Sequence, residues 1–189
     1  MAEYDEEPGF AITQKVAEAY KQDIEAVLGS FGQYQTVLEP GCGSGVFTAF
    51  LASQGLHVVG IDRNETQLAA ARERLPGVEF RLADLALDAN MHERRFNLIA
   101  TRYVIHELVD PIEMFASWKA LLAPNGLIVL IENTWFRTDW GWSDWGKRTD
   151  HLPLSCTQTW ATAAYCLQKA GFTVTRSNVF GGKTRAGMM

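Results

Sequence analysis

The sequence predicts an α/β fold built on a doubly wound, mostly parallel sheet. Three observations carry that expectation. β-Prone apolar runs alternate with segments of helical period along most of the chain, the pattern of a parallel sheet flanked by helices. A glycine-rich loop, Gly41-Cys42-Gly43-Ser44-Gly45, directly follows the first such run and leads into an apolar, helix-like segment. Glycines there let backbone approach a ligand where a Cβ would clash, and the next helix presents unpaired N–H groups. Acidic residues stand at the ends of these runs, at Glu39, Asp62 and Asp84, where ligands of open α/β sheets bind.

Taken in order, residues 11–28 place Ile12, Val16, Ala19, Tyr20, Ile24, Val27 and Leu28 near helical period, and Gly29 is a plausible stop. The first strand runs through Val37-Leu38-Glu39, and the helix after the glycine loop covers about 46–53. Residues 56–61 read as a buried second strand ending at Asp62. Asn64 then caps a helix, with Gln67 placed to reach back. Residues 78–82 form a third strand that delivers Asp84, and 96–100 a fourth. Asp110-Pro111-Ile112-Glu113 combines a capping acid, a proline at the first helical position and a Glu three residues on. Leu122-Ala123-Pro124-Asn125-Gly126 bends the chain into a fifth strand, 127–130. Ser155-Cys156-Thr157-Gln158 reads as the capping box of a last helix with Cys156, Trp160, Ala163, Ala164, Leu167 and Ala170 on one face. Gly171 ends that helix, and 172–179 reads as strand six.

The glycine loop does not fit the dinucleotide fingerprint, because its third small position is Val46. Its pattern, Glu39-x-Gly41-x-Gly43-x-Gly45, resembles motif I of the Rossmann-like (class I) methyltransferases that use S-adenosyl-L-methionine (SAM). The order of the strands, the acids at their ends and the Leu-x-Pro-x-Gly bend before strand five extend the resemblance over residues 37–179. It implies SAM as cofactor and S-adenosyl-L-homocysteine as product. It also implies a cofactor site of Glu39, Gly41, Cys42, Gly43, Gly45, Asp62, Arg63, Ala83, Asp84, Leu85 and Thr101. In that scheme Asp62 accepts the ribose hydroxyls, Asp84 stands at the adenine amino group, and Glu39 touches the methionine end or orders the loop. The plain alternatives are a helix-preceding Asp62 and a solvated Glu39. The family sheet ends in a hairpin of strands six and seven. This chain stops after a glycine-rich 181–189, so its last strand is expected to be shortened or missing, leaving an exposed sheet edge.

Residues 133–155 hold Trp135, Trp140, Trp142 and Trp145, four of the six tryptophans. A connection of this length inside a compact domain is usually functional. Trp rings stack on flat substrates and on cations. The segment therefore reads as a substrate-side insertion; a packing cluster or a homodimer surface are its alternatives. A sulfonium methyl already carries a good leaving group, so the enzyme mainly aligns the attack and excludes water. His106, after strand four, is a candidate base for a phenol or amine proton, and Tyr103 a candidate for orienting the nucleophile. Related sequences also carry a histidine in this stretch with no proton role. His151 is a further candidate.

Composition narrows the classes. The chain has 189 residues, 47% of them hydrophobic, and a net charge of -5, which suits one domain (1–189) with a helical cap at 1–30. Arginines interleave with acids and form no basic stripe, which argues against nucleic acid as partner. Cys42, Cys156 and Cys166 lack CxxC spacing, and no His/Asp cluster has metal-ligand spacing. The odd cysteine count fits a reducing cytoplasm, and neither a signal peptide nor a membrane-spanning apolar run is seen. The leading functional expectation is methyl transfer to O or N of a small aromatic or amine-bearing metabolite. Glu132-Asn133 with Asp139 and Asp144 faintly resembles protein α-N-terminal methyltransferases, and a non-catalytic SAM-binding regulator is a third reading.

Overall fold

The computed structural model describes residues 12, 14–84, 94–132, 135–136, 152–154 and 157–177. A helix, α1 (Gln14–Leu28), precedes β1 (Thr36–Pro40), α2 (Val46–Ser53), β2 (His57–Asp62), α3 (Glu65–Arg74) and β3 (Glu79–Leu82). Then come β4 (Phe96–Arg102), α4 (Pro111–Ala120), β5 (Leu122–Ile131), the short β6 (Trp135–Phe136) and β7 (Thr157–Gln158), and α5 (Trp160–Lys169). The five long strands form one parallel sheet in the order β3-β2-β1-β4-β5. The order reverses between β1 and β4, so the crevice that such sheets offer a ligand opens above that pair. β6 and β7 pair antiparallel, apart from the main sheet.

Alternation of side chains along the strands feeds two cores. Val37, Val58, Leu98, Val129 and Ile131 face Ile24 and Leu28 of α1 and Phe47, Phe50 and Leu51 of α2. Leu38, Ile61 and Ile99 face the other way, onto Phe115 and Trp118 of α4 and Cys166 of α5. The Phe115 and Trp118 rings are fully buried with centroids 5.5 Å apart. Cys42, Leu68, Ala71 and Phe80 form a third, smaller cluster beneath α3.

Two helix starts follow the local chemistry of the sequence. Asn64 Oδ1 accepts the N–H groups of Thr66 and Gln67, and Asp110 Oδ1 accepts that of Glu113 with Pro111 opening the helix. The bend before strand five is a register shift inside β5. Leu122 pairs with Phe96 and Leu127 with Leu98, with Asn125 at φ 62° between them.

Three expectations are corrected. The last helix starts at Thr159, whose hydroxyl accepts the Thr162 N–H while Thr162 Oγ1 accepts the Thr159 N–H. Thr157 and Gln158 lie instead in the β6–β7 ladder, so a strand occupies part of the expected capping box. Trp160, expected on the buried face, is 52% exposed, because the packed stripe starts one turn later with Ala163, Cys166, Leu167 and Ala170. Residues 172–177 form no strand. Phe172 N–H closes back on Leu167 O and its ring packs into the α4–α5 core, and among the described residues this β-prone run has no neighbouring ladder. Among the described residues no strand lies outside β5.

Candidate active site at the carboxyl ends of the strands

β1, β2, β3, β4 and β5 end in register along one edge: Pro40 beside Ile61, Asp62 beside Leu82, Arg102 beside Ile131. The glycine loop leaves this edge between β1 and α2. Gly41 N–H and Cys42 N–H both donate to Ile61 O, at 2.8 and 3.0 Å, folding the loop over the end of β2. Gly41 has φ 70°, and a Cβ there would come within 2.5 Å of Val104 Cγ2. Gly43 has φ 53° and open space before it, with Gln67 Oε1 at 4.0 Å as the nearest atom to an added Cβ. The first glycine is thus demanded by packing, the second by backbone conformation. Gly45, also left-handed, caps α2 without a side-chain hydrogen bond.

Asp62 ties the loop to the second strand. Its Oδ2 accepts the Gly43 N–H at 2.9 Å and its Oδ1 accepts the Asn64 N–H at 2.8 Å. Ala83, buried, donates its N–H to Asp62 O at 3.0 Å, and exposed Asp84 comes next. Arg63 reaches across to Glu107 at 3.0 Å.

Glu39 is 2% exposed, which rules out a solvated strand end. Its Oε2 accepts the Thr48 hydroxyl at 2.6 Å. Burial pushes its pKa up to about 8 against the pull of the Thr48 hydrogen bond and of Arg102, with Asp62 adding to the rise. Burial likewise pushes up the pKa of the Cys42 thiol, helped by Glu39 and Asp62, so Cys42 stays a neutral thiol.

β4 carries Thr101, fully buried, whose Oγ1 has no hydrogen-bond partner among the described residues. Tyr103 follows at φ 60°, a conformation that a side chain of this size rarely adopts, and its N–H donates to Ile131 O. The Arg102 guanidinium lies over the Tyr103 ring, 4.7 Å from its centroid. Beyond this corner, Glu132 Oε1 accepts two successive N–H groups, Val104 at 2.8 Å and Ile105 at 2.9 Å. Glu132 Oε2 stands 3.7 Å from His106 Nδ1, with the two side chains 11% and 7% exposed.

The structure therefore brings Glu39, the glycine loop, Asp62, Arg63, Ala83, Asp84, Thr101, Tyr103 and His106 to one edge of the sheet. Leu85, Trp140, Trp142, Trp145 and His151 lie outside the described residues, and Trp135 is placed only as part of β6. Sequence reasoning missed Thr48, Arg102 and the anchoring part of Glu132. A signal existed for Glu132, an acid immediately after the strand that neighbours β4. A groove of about 480 Å³ lined by Thr36, His57, Glu79 and Phe96 opens at the opposite, amino ends of the strands, away from this edge.

A family model described as a methyltransferase domain matches residues 12–177. The chain belongs to this family. It is a class I methyltransferase domain, and its cofactor is SAM. It is 29% identical over 156 residues to an uncharacterized methyltransferase of Synechocystis, an alignment covering 78% of this chain and 71% of that one. To a ubiquinone biosynthesis O-methyltransferase of Histophilus somni it is 32% identical over 119 residues, covering 57% of this chain and 48% of the other. Among solved structures, the SAM-bound amino pentose methyltransferase of calicheamicin biosynthesis from Micromonospora echinaspora superposes with a TM-score of 0.52 at 29% identity, over 65% of this chain and 51% of that one. The chain thus spans only about half the length of the last two. No helix among the described residues is long and apolar enough to cross a membrane.

The donor set of this methyltransferase suits the cofactor. The left-handed glycine loop leaves room before Gly43, and carboxylates at the ends of β2 and β3 match hydroxyl and amino donors of an adenosine.

Proposed function

We propose that the protein transfers the methyl group of SAM to an oxygen or nitrogen of a small, aromatic or amine-bearing metabolite. The observation that carries this reading is the convergence of the glycine loop, Asp62 and the His106–Glu132 pair on one strand-end edge. The quinone-pathway and amino pentose relatives act on small acceptors by their names, which supports the same class.

Bound SAM supplies a methyl group already activated on a sulfonium. Asp62 holds the ribose hydroxyls with the acceptor capacity left beyond Gly43 and Asn64, and Asp84, with Ala83 and Leu85, borders the adenine. Gly41, Cys42, Gly43 and Gly45 bring backbone against the cofactor, with Thr101, Arg63 and Glu39 completing the wall. Tyr103 and His106 sit where the acceptor approaches. Glu132 directs His106 Nδ1 toward its own carboxylate and stabilises the imidazolium formed when His106 takes the acceptor's proton. We assign the substrate side to the Trp-rich sequence 133–155 on the chemistry of its rings alone.

A peptide-terminus acceptor is the runner-up. Glu132 spends one carboxylate oxygen on Val104 and Ile105 rather than offering it to an amine, which weighs against that reading. Transfer of label from methyl-labelled SAM to a panel of phenols, amines and peptides tests the proposal. Labelled small molecules are the expected result. Label on peptides alone refutes it, as does S-adenosylhomocysteine binding with no transfer to any acceptor.

A further inference from the structure

Arg63 and Glu107 stand on opposite sides of the crevice. Arg63 follows Asp62, the last residue of β2, and Glu107 closes the single turn Ile105–Glu107 that comes after β4. β1 lies between those two strands in the sheet, and the glycine loop leaves from its end. The guanidinium of one residue and the carboxylate of the other nevertheless meet at 3.0 Å. The pair thus joins the two walls across the position of β1. A ligand that reaches from Asp62 toward the end of β4 has to pass there.

Neither wall needs the pair for its shape. Asp62 fastens its own side through the Gly43 and Asn64 N–H groups, and Asn64 caps α3. On the other side Glu132 accepts the Val104 and Ile105 N–H groups, and Glu107 N–H donates to Val104 O. The Arg63 and Glu107 side chains are 57% and 31% exposed, which puts the pair at the mouth. An ion pair in that position adds little to stability. Both are long side chains on fastened backbone, so the bridge opens by rotamer changes alone and leaves the walls in place.

We propose that the Arg63–Glu107 ion pair is a clasp over the cofactor crevice, parting to admit SAM or release S-adenosylhomocysteine and closing again over either. This inference rests on SAM as the cofactor and concerns its exchange, not the contacts that hold it. Parting the pair is a step common to entry and exit. The clasp therefore slows both by the same factor and leaves the equilibrium affinity unchanged. A side chain that held the cofactor directly would act otherwise, since its loss would quicken dissociation and weaken affinity together.

Stopped-flow mixing of the whole chain with S-adenosylhomocysteine, followed by tryptophan fluorescence, gives both rate constants, and calorimetry gives Kd. Glu107→Gln keeps the size of the side chain and removes its charge. It is expected to raise the association and dissociation rates alike, by about two- to fivefold, the scale of an exposed ion pair, with Kd held within about twofold. Salt provides a second arm that needs no variant of uncertain folding. Raising sodium chloride to about 0.5 M should speed both rates in the wild type toward those of Glu107→Gln and leave the variant's rates nearly unchanged, because exposed pairs are screened. Unchanged rates in the variant, faster dissociation with a matching loss of affinity, or equal salt effects on both proteins overturn the clasp. Failure of wild-type protein to bind S-adenosylhomocysteine at all would instead overturn the cofactor reading beneath it.

Discussion

Replacing Glu39 by Gln tests the physical picture of the β1 end most directly. A carboxyl that ionises near 4.5 in the unfolded chain stays neutral in the folded protein up to about 8, because burial outweighs the Thr48 hydrogen bond and the Arg102 charge. Between those values the folded state binds more protons than the unfolded one, so Glu39 makes stability fall as pH rises from about 4.5 to about 8. At about 1.4 kcal/mol per pH unit, the full window amounts to an upper bound of about 5 kcal/mol. Gln keeps the size and can still accept from Thr48, but it cannot ionise. Urea unfolding of wild type and Glu39→Gln at pH 5, 6, 7 and 8 should give nearly equal stabilities at pH 5. The difference should widen in favour of the variant by several kcal/mol at pH 8. Binding of the sulfonium cation favours the carboxylate, so SAM titrations in buffers of different ionisation enthalpy should show proton release in this window for the wild type and not for the variant. Parallel stability curves from pH 5 to pH 8 would refute the reasoning, since Glu39 would then ionise alike in both states.

Three further outcomes follow from the geometry. Asp62→Ala should weaken S-adenosylhomocysteine binding by about 1.5–3 kcal/mol in calorimetry, because it removes an acceptor for the ribose and frees the Gly43 N–H; unchanged affinity would take Asp62 out of the site. Gly41→Ala should cost about 2–4 kcal/mol in denaturant unfolding, since its Cβ would stand 2.5 Å from Val104 in a left-handed backbone. Glu132→Gln should lower kcat while leaving S-adenosylhomocysteine affinity nearly unchanged, because Gln can still accept from Val104 and Ile105 but cannot compensate a protonated His106. Equal effects on kcat and cofactor affinity would make Glu132 a purely structural anchor.

What could be read from the sequence was local. The left-handed glycines and the caps at Asn64 and Asp110 depend on residues within three or four positions of each other, so their chemistry shows in a short window. The start of the last helix was misplaced for the same reason. Two overlapping Ser/Thr patterns competed, and the choice of Thr159 depends on a ladder with residues 135–136, over twenty positions away. Strand six fails likewise, because 172–177 has the composition of a strand but no neighbour to pair with among the described residues. In the site, Asp62 was legible from its place after a strand. Glu132 showed only as an acid placed after a strand and Arg102 not at all, because their partners are distant in sequence: Glu132 binds backbone 28 residues earlier, and Arg102 acts on Glu39 across the β1–β4 junction.

The paired N–H groups that Glu132 gathers have a consequence for motion. Val104 and Ile105 are fastened to the end of β5, Val104 presses on Gly41, and Gly43 is fastened to Asp62 at the end of β2. Three stretches that are loops in the sequence are thereby laced into a single stiff rim. A rim already ordered before a ligand arrives loses little further entropy when one enters, and its amides at 41–43 and 104–105 open to solvent as one unit rather than loop by loop.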